Sequence, residues 1–390
     1  MPTRQRERTG EPIVGEYFVK NGTTTLQGWT GRHTSTEICN DTVGQRNQDN
    51  GFLLEKYERK FQPMTGSRPG SSPVDKYVNY YPVAVQTVVA HINQPIPSVN
   101  SAAVKAIAGT NPSRSVVSVP RALYELKDLP GLVKQGGDLL RRFNSSRKSP
   151  KDVARYLSSL RAARDGAGIY LGNEFGVQPI ISDVRKLLDF QSHVSKRKRE
   201  LDRLYSKGGL KRRYTTYSGV SNVEDNAVTV DSILGTSIRC RTSGITTSKQ
   251  WVTLKWRPDP GTIPRTDAQK LKLARAAVFG AQVGIGDVWD VMPWSWMIDW
   301  FGNVGDYLHA HDNTVPAKSS SVNVMTHRKT VYTYTRFGNE WCVGGGGVMS
   351  KESKERTPVT GIPLPEANQP VITDWRLSIL GALAVTKGTR

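Results

Sequence analysis

A short tryptophan-rich segment constrains this chain more than any other feature of its sequence. Residues 289–308 hold four of the nine tryptophans and contain no lysine or arginine. The 390-residue chain nevertheless carries a formal net charge of +20, so its basic residues must lie elsewhere. Because aromatic side chains bury large apolar areas, we expect this segment to pack while another part of the chain holds a polyanion.

The length and charge of the chain narrow its class further. A chain of 390 residues exceeds what one hydrophobic core usually supports, which predicts two structural regions. The 54 Lys and Arg residues outnumber the 34 Asp and Glu residues, and the isoelectric point is near 9.9. This excess favours nucleic acid or an anionic membrane surface as the partner, and nucleic acid is preferred over the alternative of a merely soluble basic protein.

The cysteine spacing and the apolar runs of the sequence argue against a metal-binding or disulfide framework, a secretory signal and a membrane span. The three cysteines are far apart and form no C-x-x-C pair, which argues against a zinc ribbon or a disulfide framework. The charged N-terminus lacks the apolar core of a secretory signal, and no run of 18 apolar residues occurs. We therefore expect a protein made in a cytoplasm, with no signal peptide and no membrane span.

Strand-like and helix-like segments alternate along the chain. Residues 1–100, 207–264 and 313–368 are rich in Val, Thr and Tyr and are punctuated by Gly, Asn and Pro, which is typical of strands. Residues 101–206, 265–312 and 369–390 show helical spacing of apolar residues. The pattern predicts an elongated α+β protein: an all-helical region, a bundle with long helices, and a β-sheet region, both built from interleaved segments.

Two basic runs in the helical segments are the candidate binding surface. The runs at 141–164 and 196–213 contain only three acids between them, Asp152, Glu200 and Asp202. A solvated helix face is the alternative, but such faces usually mix charges of both signs. The arginine fork also suits phosphate. The predicted RNA-binding residues are Arg141, Arg142, Arg147, Lys148, Lys151, Arg155, Arg161, Arg164, Lys196, Arg197, Lys198, Arg199, Arg203, Lys207, Lys211, Arg212 and Arg213.

Recognisable catalytic motifs are missing from the sequence. It contains no Gly-x-Ser-x-Gly, phosphate-binding loop, dinucleotide fingerprint or His-Glu-x-x-His. His309 and His311 lack an apparent third ligand, so a metal there is not expected. Asp290, Asp299 and Asp306 have no evident His partner and are interpreted as caps and buried hydrogen-bond acceptors. The sequence predicts no enzyme and no cofactor.

Two motifs resemble those of a known family. Residues 169–184, IYLGNEFGVQPIISDV, and residues 287–305, DVWDVMPWSWMIDWFGNVG, are similar to the two signatures of maturation (A) proteins of single-stranded RNA bacteriophages. The resemblance covers the helical third to half of the chain, and the strand segments do not align with the family. The residues that match are Phe175, Gly176, Pro179, Ser182, Asp183, Trp289, Pro293, Ser295, Asp299 and Trp300.

The resemblance implies a role in the virion. It implies one copy per particle that replaces a coat-protein dimer, binds structured elements of the genomic RNA near the 3′ end, and enters the host with that RNA. It also implies that the helical region points inward to the RNA and that the strand region points outward and attaches to a bacterial pilus. We interpret the motif residues as supports for the basic surface and not as RNA contacts.

Two other classes of function stay open on the sequence alone. An RNA-processing or RNA-modifying enzyme would need an acid/base or metal site that the sequence does not reveal. A peripheral membrane protein would use the tryptophan segment as an interfacial anchor, but the charged face that such a helix needs is missing there.

Overall fold

The described part of the chain is mostly β-sheet. The computed structural model describes residues 3–12, 16–20, 23–27, 33–42, 50–70, 75–85, 90–116, 189–233, 236–264, 266–279, 285–292, 295–338, 340–367, 376 and 378–379. Of these residues 49% lie in strands and 27% in helices. The helices are α1 (Val99–Thr110), α2 (Phe190–Ser206), α3 (Asp267–Phe279), α4 (Ile285–Val291), α5 (Ser295–Phe301) and α6 (Val304–Ala310).

The predicted fold class was therefore wrong. Among the described residues there is no all-helical region and no bundle of long helices, since the longest helix, α2, has 17 residues and three others have seven. The sequence explains the short helices of the tryptophan segment, because Pro293 lies between α4 and α5 and Gly302-Asn303 lies between α5 and α6. Within the predicted helical segment 101–206, residues 117–188 lie outside the described residues.

In the described part of the chain, twelve strands form two sheets. The larger sheet has seven strands in the order β1-β4-β5-β12-β10-β9-β8, and the smaller has five in the order β11-β6-β7-β2-β3. The strands are β1 (Thr3–Thr9), β2 (Glu16–Lys20), β3 (Thr23–Gln27), β4 (Ser35–Thr42), β5 (Phe52–Phe61), β6 (Met64–Ser67), β7 (Lys76–Tyr80), β8 (Leu210–Ile233), β9 (Thr236–Pro258), β10 (Ala317–Phe337), β11 (Cys342–Val343) and β12 (Gly347–Val359).

Three of these strands are unusually long. β8, β9 and β10 contain 24, 23 and 21 residues, whereas typical strands have about 5–6. They are rich in Thr and Val, which favour extended backbone. Burial alternates along β9, where even-numbered residues such as Thr246 and Val252 are buried and odd-numbered residues such as Lys249 are exposed. One face of this strand therefore meets the protein interior and the other meets solvent.

The chain divides into two compact units. The first unit comprises Met1–Ala103, Arg213–Leu254 and Ser321–Thr360, and the second comprises Val104–Arg212, Lys255–Ser320 and Gly361–Arg390. Each unit is thus assembled from three separate stretches of chain.

The core of the first unit is aromatic and sulfur-rich. Tyr77 and Tyr80 are almost fully buried and meet edge-on, with ring centroids 5.6 Å apart. Burial raises the pKa of the Cys240 thiol to about 11, so this cysteine is an inert core residue. The cluster consists of Met64, Tyr77, Tyr80, Val83, Val230, Ile238, Cys240, Tyr334, Cys342 and Met349.

A polar segment covers part of the inner face of the larger sheet. The imidazole of His91 lies 2.7 Å from Thr330 Oγ1 and 2.9 Å from Ser353 Oγ, while Gln94 donates to the carbonyl oxygen of Thr246 at 2.9 Å. Burial lowers the pKa of His91 to about 4, and nearby Lys351 and Arg328 act in the same direction. His91 is therefore neutral near pH 7 and joins strands β10 and β12 by hydrogen bonds.

In the second unit, α2 packs against α3. The contact buries Leu201 and Leu204 of α2 and Ala274 and Ala277 of α3. The N-terminus of α3 has a capping box, in which the Gln269 backbone N–H donates to Thr266 Oγ1 and the Thr266 N–H donates to Gln269 Oε1, both at 3.2 Å.

Within the described ranges, every helix is too short or too polar to cross a bilayer.

Candidate nucleic-acid interface

Only the second basic run can be placed in the structure. All residues of the first run, from Arg141 to Arg164, lie outside the described residues, as do the first-motif residues Phe175, Gly176, Pro179, Ser182 and Asp183. The second run, from Lys196 to Arg213, covers α2, its exit and the start of β8.

Three cations of this run form ion pairs with carboxylates of the same chain. Arg197 is largely buried and donates to Glu200 at 3.0 Å and to the carbonyl oxygen of Arg114 at 2.8 Å. Burial lowers the pKa of Arg197, although its guanidinium is charged at any physiological pH. Lys198 pairs with Asp267 at 3.1 Å and Arg212 pairs with Glu200 at 2.8 Å. The structure therefore uses these side chains for internal contacts.

Four other cations form an exposed row on α2. Lys196, Arg199 and Arg203 follow each other at helical spacing, and Lys207 continues the row just after the helix. All four are exposed, and the buried residues Val194, Leu201 and Leu204 occupy a different face of the helix. At 1.5 Å per residue the row is about 16 Å long. We call these four residues the α2 stripe.

No carboxylate among the described residues neutralises the α2 stripe. The helix contains two acids, Glu200 and Asp202, and both have other partners. Glu200 accepts from Arg197 and Arg212, and Asp202 pairs with Lys270 of α3 at 3.1 Å. Among the described residues, the stripe therefore concentrates positive charge without a carboxylate that balances it, which is typical of a surface that binds an anion.

Further exposed cations lie at the start of β8 and along α3. Lys211 is exposed at the start of β8, and Lys272 and Arg275 are exposed on α3 at i, i+3 spacing. The sequence reasoning missed Lys272 and Arg275, because they stand singly and not in a dense run. Their helical spacing was the available signal.

The second motif is held together by hydrogen bonds. Trp289 Nε1 donates to Asp299 Oδ2 at 3.0 Å, and the backbone N–H of Gly305 donates to Asp299 Oδ1 at 2.9 Å. Asp299 therefore links α4, α5 and α6 through one carboxylate. Ser295 is buried, and the guanidinium of Arg376 lies 5.2 Å from the centre of the Trp300 ring. Pro293 lies outside the described residues.

Asp290 has a histidine partner that the sequence reasoning did not identify. The ring of His309 lies 3.2 Å from Asp290 Oδ2 and 3.0 Å from Asp312 Oδ2. The hydrogen bonds to Asp290 and then Asp312 raise the pKa of His309 to about 10. An imidazole with this pKa stays protonated at neutral pH, so it forms an ion pair and is a poor general base.

His311, the other histidine of the His-Ala-His sequence, is exposed and its Nδ1 lies 2.8 Å from the Tyr307 carbonyl oxygen. No group of three or more potential metal ligands occurs in the part of the chain that the structure describes.

Comparison with known proteins does not identify a family. No protein-family model matches the chain, and no curated protein matches it. The likeness to phage maturation proteins therefore depends on the motif residues alone.

Proposed function

We propose that this protein binds single-stranded RNA through the α2 stripe and serves as the maturation protein of a single-stranded RNA bacteriophage. The uncompensated charge of the α2 stripe carries the first part of this proposal. The motifs around Phe175 and Trp289 carry the second part.

The stripe has the chemistry that phosphate binding needs. Arg199 and Arg203 offer planar donor forks, while Lys196 and Lys207 add mobile ammonium groups at either end. The α2–α3 packing holds the helix that presents them. Four cations along about 16 Å suit a chain of closely spaced phosphates better than a single small anion.

The wider role is proposed from the motif resemblance. In this proposed role, one copy of the protein per particle occupies the place of a coat-protein dimer and holds structured RNA near the 3′ end. The protein also attaches to a bacterial pilus and enters the cell with the genome. Asp299, with Trp289 and Gly305, supports the short helices of the second motif and does not touch RNA.

The RNA-binding part is tested by measuring affinity against salt concentration. The double variant Arg199→Gln/Arg203→Gln removes two charges that have no ion-pair partner among the described residues. We expect the variant to bind RNA about 5- to 50-fold more weakly near 0.1 M salt. We also expect the slope of log affinity against log salt to fall by about 1.4, because each neutralised phosphate of a single strand contributes about 0.7.

A matched control removes two cations that already have acid partners. Lys56 pairs with Glu58 at 2.6 Å and Lys354 pairs with Glu352 at 2.9 Å, both on the larger sheet. Lys56→Gln/Lys354→Gln should leave the salt slope unchanged. Equal slopes for the wild type and the Arg199/Arg203 variant would show that the α2 stripe does not contact RNA, and cleavage of the RNA during the assay would favour a processing enzyme.

The virion role is tested in purified particles of the phage that encodes the chain. Ultraviolet crosslinking should recover peptides of α2 attached to genomic RNA. Particles without this chain, or particles in which α2 crosslinks only to protein, would contradict the proposal.

A further inference from the structure

The solvent-facing side of strand β9 carries a second group of cations, and these lie among aromatic rings. Three stretches of the first unit together contain seven Lys or Arg residues and no Asp or Glu. These stretches are β8 from Arg213 to Val223 and the parts of β9 and β10 that belong to this unit. The acids of β8 begin only at Glu224. Five of these cations are exposed, namely Arg213, Arg239, Arg241, Lys249 and Lys329, whereas Arg328 and Arg336 are half-buried.

Other strands of the same sheet are different. On β5 and β12, lysines alternate with carboxylates and pair with them, as in Lys56 with Glu58 and Lys354 with Glu352. Such mixed charge is ordinary for a solvated sheet face and needs no external partner. The acid-free composition is thus a local property of β9, β10 and the part of β8 that precedes Glu224.

The arrangement of side chains around Trp251 fits an unpaired base. The guanidinium of Arg213 lies 4.6 Å from the centre of the Trp251 ring, and Arg213 is exposed while Trp251 is half-buried. Lys249, two residues before Trp251, is exposed on the same side of β9. An indole with a stacked guanidinium and a nearby ammonium can hold a base by stacking and its phosphate by charge.

A similar pair lies farther along the same face. Arg241 is exposed, and its guanidinium lies 4.6 Å from the centre of the Phe337 ring, which is 40% exposed. Arg241 and Trp251 are ten residues apart on one strand, so they share a face and are separated by about 33 Å. Two aromatic-cation pairs with a lysine between them therefore line one exposed surface of the first unit.

We propose that the solvent-facing side of β9 is a second RNA-binding surface, at which unpaired bases stack on the Arg213–Trp251 pair. This proposal rests on the proposed function, because the ligand is the RNA that the α2 stripe also binds. It departs from the expectation, implied by the motif resemblance, that RNA meets the helical region while the strand region faces a pilus. It adds a different mode of contact: the stripe is expected to hold phosphates only, whereas the β9 surface is expected to hold bases as well. Charge complementarity and the two aromatic-cation pairs favour single-stranded nucleic acid over an acidic protein, which offers no flat rings at regular intervals.

The test uses the full chain and unstructured pyrimidine RNA of about 12 nucleotides, within the range that single sheet domains bind. The same RNA with abasic sites serves as a second probe of equal charge. Trp251→Leu should weaken binding of the normal RNA about tenfold, as expected for loss of one stacked base, and should leave binding of the abasic RNA unchanged. A purely structural effect of the substitution would weaken both.

The contribution of charge to binding at the β9 surface is tested separately, by substitution of exposed cations. Arg241→Gln/Lys249→Gln should lower the salt slope by about 1.4, whereas Lys354→Gln on the same sheet should not change it. Thermal unfolding of each variant provides a check that the sheet is intact.

The outcomes separate the two proposals. If the wild type does not bind RNA, the proposed function fails. If the wild type binds and Arg199→Gln/Arg203→Gln weakens binding, but Trp251→Leu and Arg241→Gln/Lys249→Gln have no effect, the β9 surface is overturned and the α2 stripe stands. If the wild type binds polyglutamate or abasic RNA as tightly as normal RNA, base stacking is overturned.

Discussion

At the scale of single residues, ion pairing determines which cations are available to an external partner. Arg197 and Arg199 are neighbours in sequence, yet Arg197 is buried against Glu200 while Arg199 is exposed. Sequence reasoning could identify the basic run but could not separate these two groups, because the separation depends on which helix face meets α3. Sequence reasoning also did not identify the partners of His309, because Asp290 and Asp312 lie 19 and three residues away in the chain.

His309 should make stability depend on pH in the alkaline range. Its pKa in the folded protein is raised to about 10 from an ordinary value of 6.5, so the folded state holds a proton that the unfolded state releases. The stabilisation is fully present below pH 6.5 and is lost as pH rises toward 10. We expect His309→Gln to lower the free energy of unfolding by about 1–3 kcal/mol at pH 6 and by much less at pH 9.5.

Urea unfolding at the two pH values measures this effect. His311→Gln is the control, because His311 is exposed and contacts the carbonyl oxygen and the ring of Tyr307 and not a carboxylate of the described residues, so it should change the unfolding free energy little. An equal loss for His309→Gln at both pH values would mean that packing, and not charge, explains the role of His309.

At the scale of elements, the sequence indicated strands more reliably than helices. The segments 207–264 and 313–368 were predicted as strands, and most of their residues lie in β8, β9, β10, β11 and β12. Helical periodicity, by contrast, does not show where a helix ends. The tryptophan segment was expected in a block of long helices but forms α4, α5 and α6, each of seven residues, joined through the side chain of Asp299.

This junction makes Gly305 hard to replace. A Cβ at Gly305 would lie 2.7 Å from Asp299 Oδ2 and 3.2 Å from Trp289 Cδ1. The carboxylate cannot move away freely, because it accepts hydrogen bonds from Trp289 and from the Gly305 N–H itself. We expect Gly305→Ala to lower the free energy of unfolding by about 1–3 kcal/mol despite the better helix propensity of alanine.

Gly261→Ala is the matched control, since no atom of the described residues lies within 4 Å of a Cβ at that position. Both variants are compared by urea unfolding under one set of conditions. A Gly305→Ala protein as stable as Gly261→Ala would mean that Asp299 does not hold α4, α5 and α6 in the arrangement described.

At the scale of the whole molecule, the exposed positive charge is concentrated on particular surfaces, and these surfaces coincide only in part with the basic runs of the sequence. A count along the chain found 196–213, but it could not show that three of the nine cations in this run serve internal contacts, nor that scattered cations such as Arg241 and Lys249 share one sheet face. Strand alternation brings such residues together at every second position, whereas a dense run in sequence need not remain exposed. The prediction of a cationic protein with a polyanionic partner needed only composition. The location of the exposed charge needed the fold.

The same distribution of charge predicts how RNA should affect the stability of the intact protein. A ligand that binds only the folded state stabilises it, by about 2.7 kcal/mol when its concentration is 100 times the dissociation constant. Unstructured RNA should therefore raise the melting temperature by several degrees at low salt, and the increase should vanish as salt screens the phosphate contacts. The Arg199→Gln/Arg203→Gln variant should show a smaller increase than the wild type at the same RNA concentration, and the Lys56→Gln/Lys354→Gln control should match the wild type. An increase that is independent of salt, or equal in all three proteins, would place the stabilising contact away from the α2 stripe, because contacts with phosphate must weaken when counterions compete for the same cations.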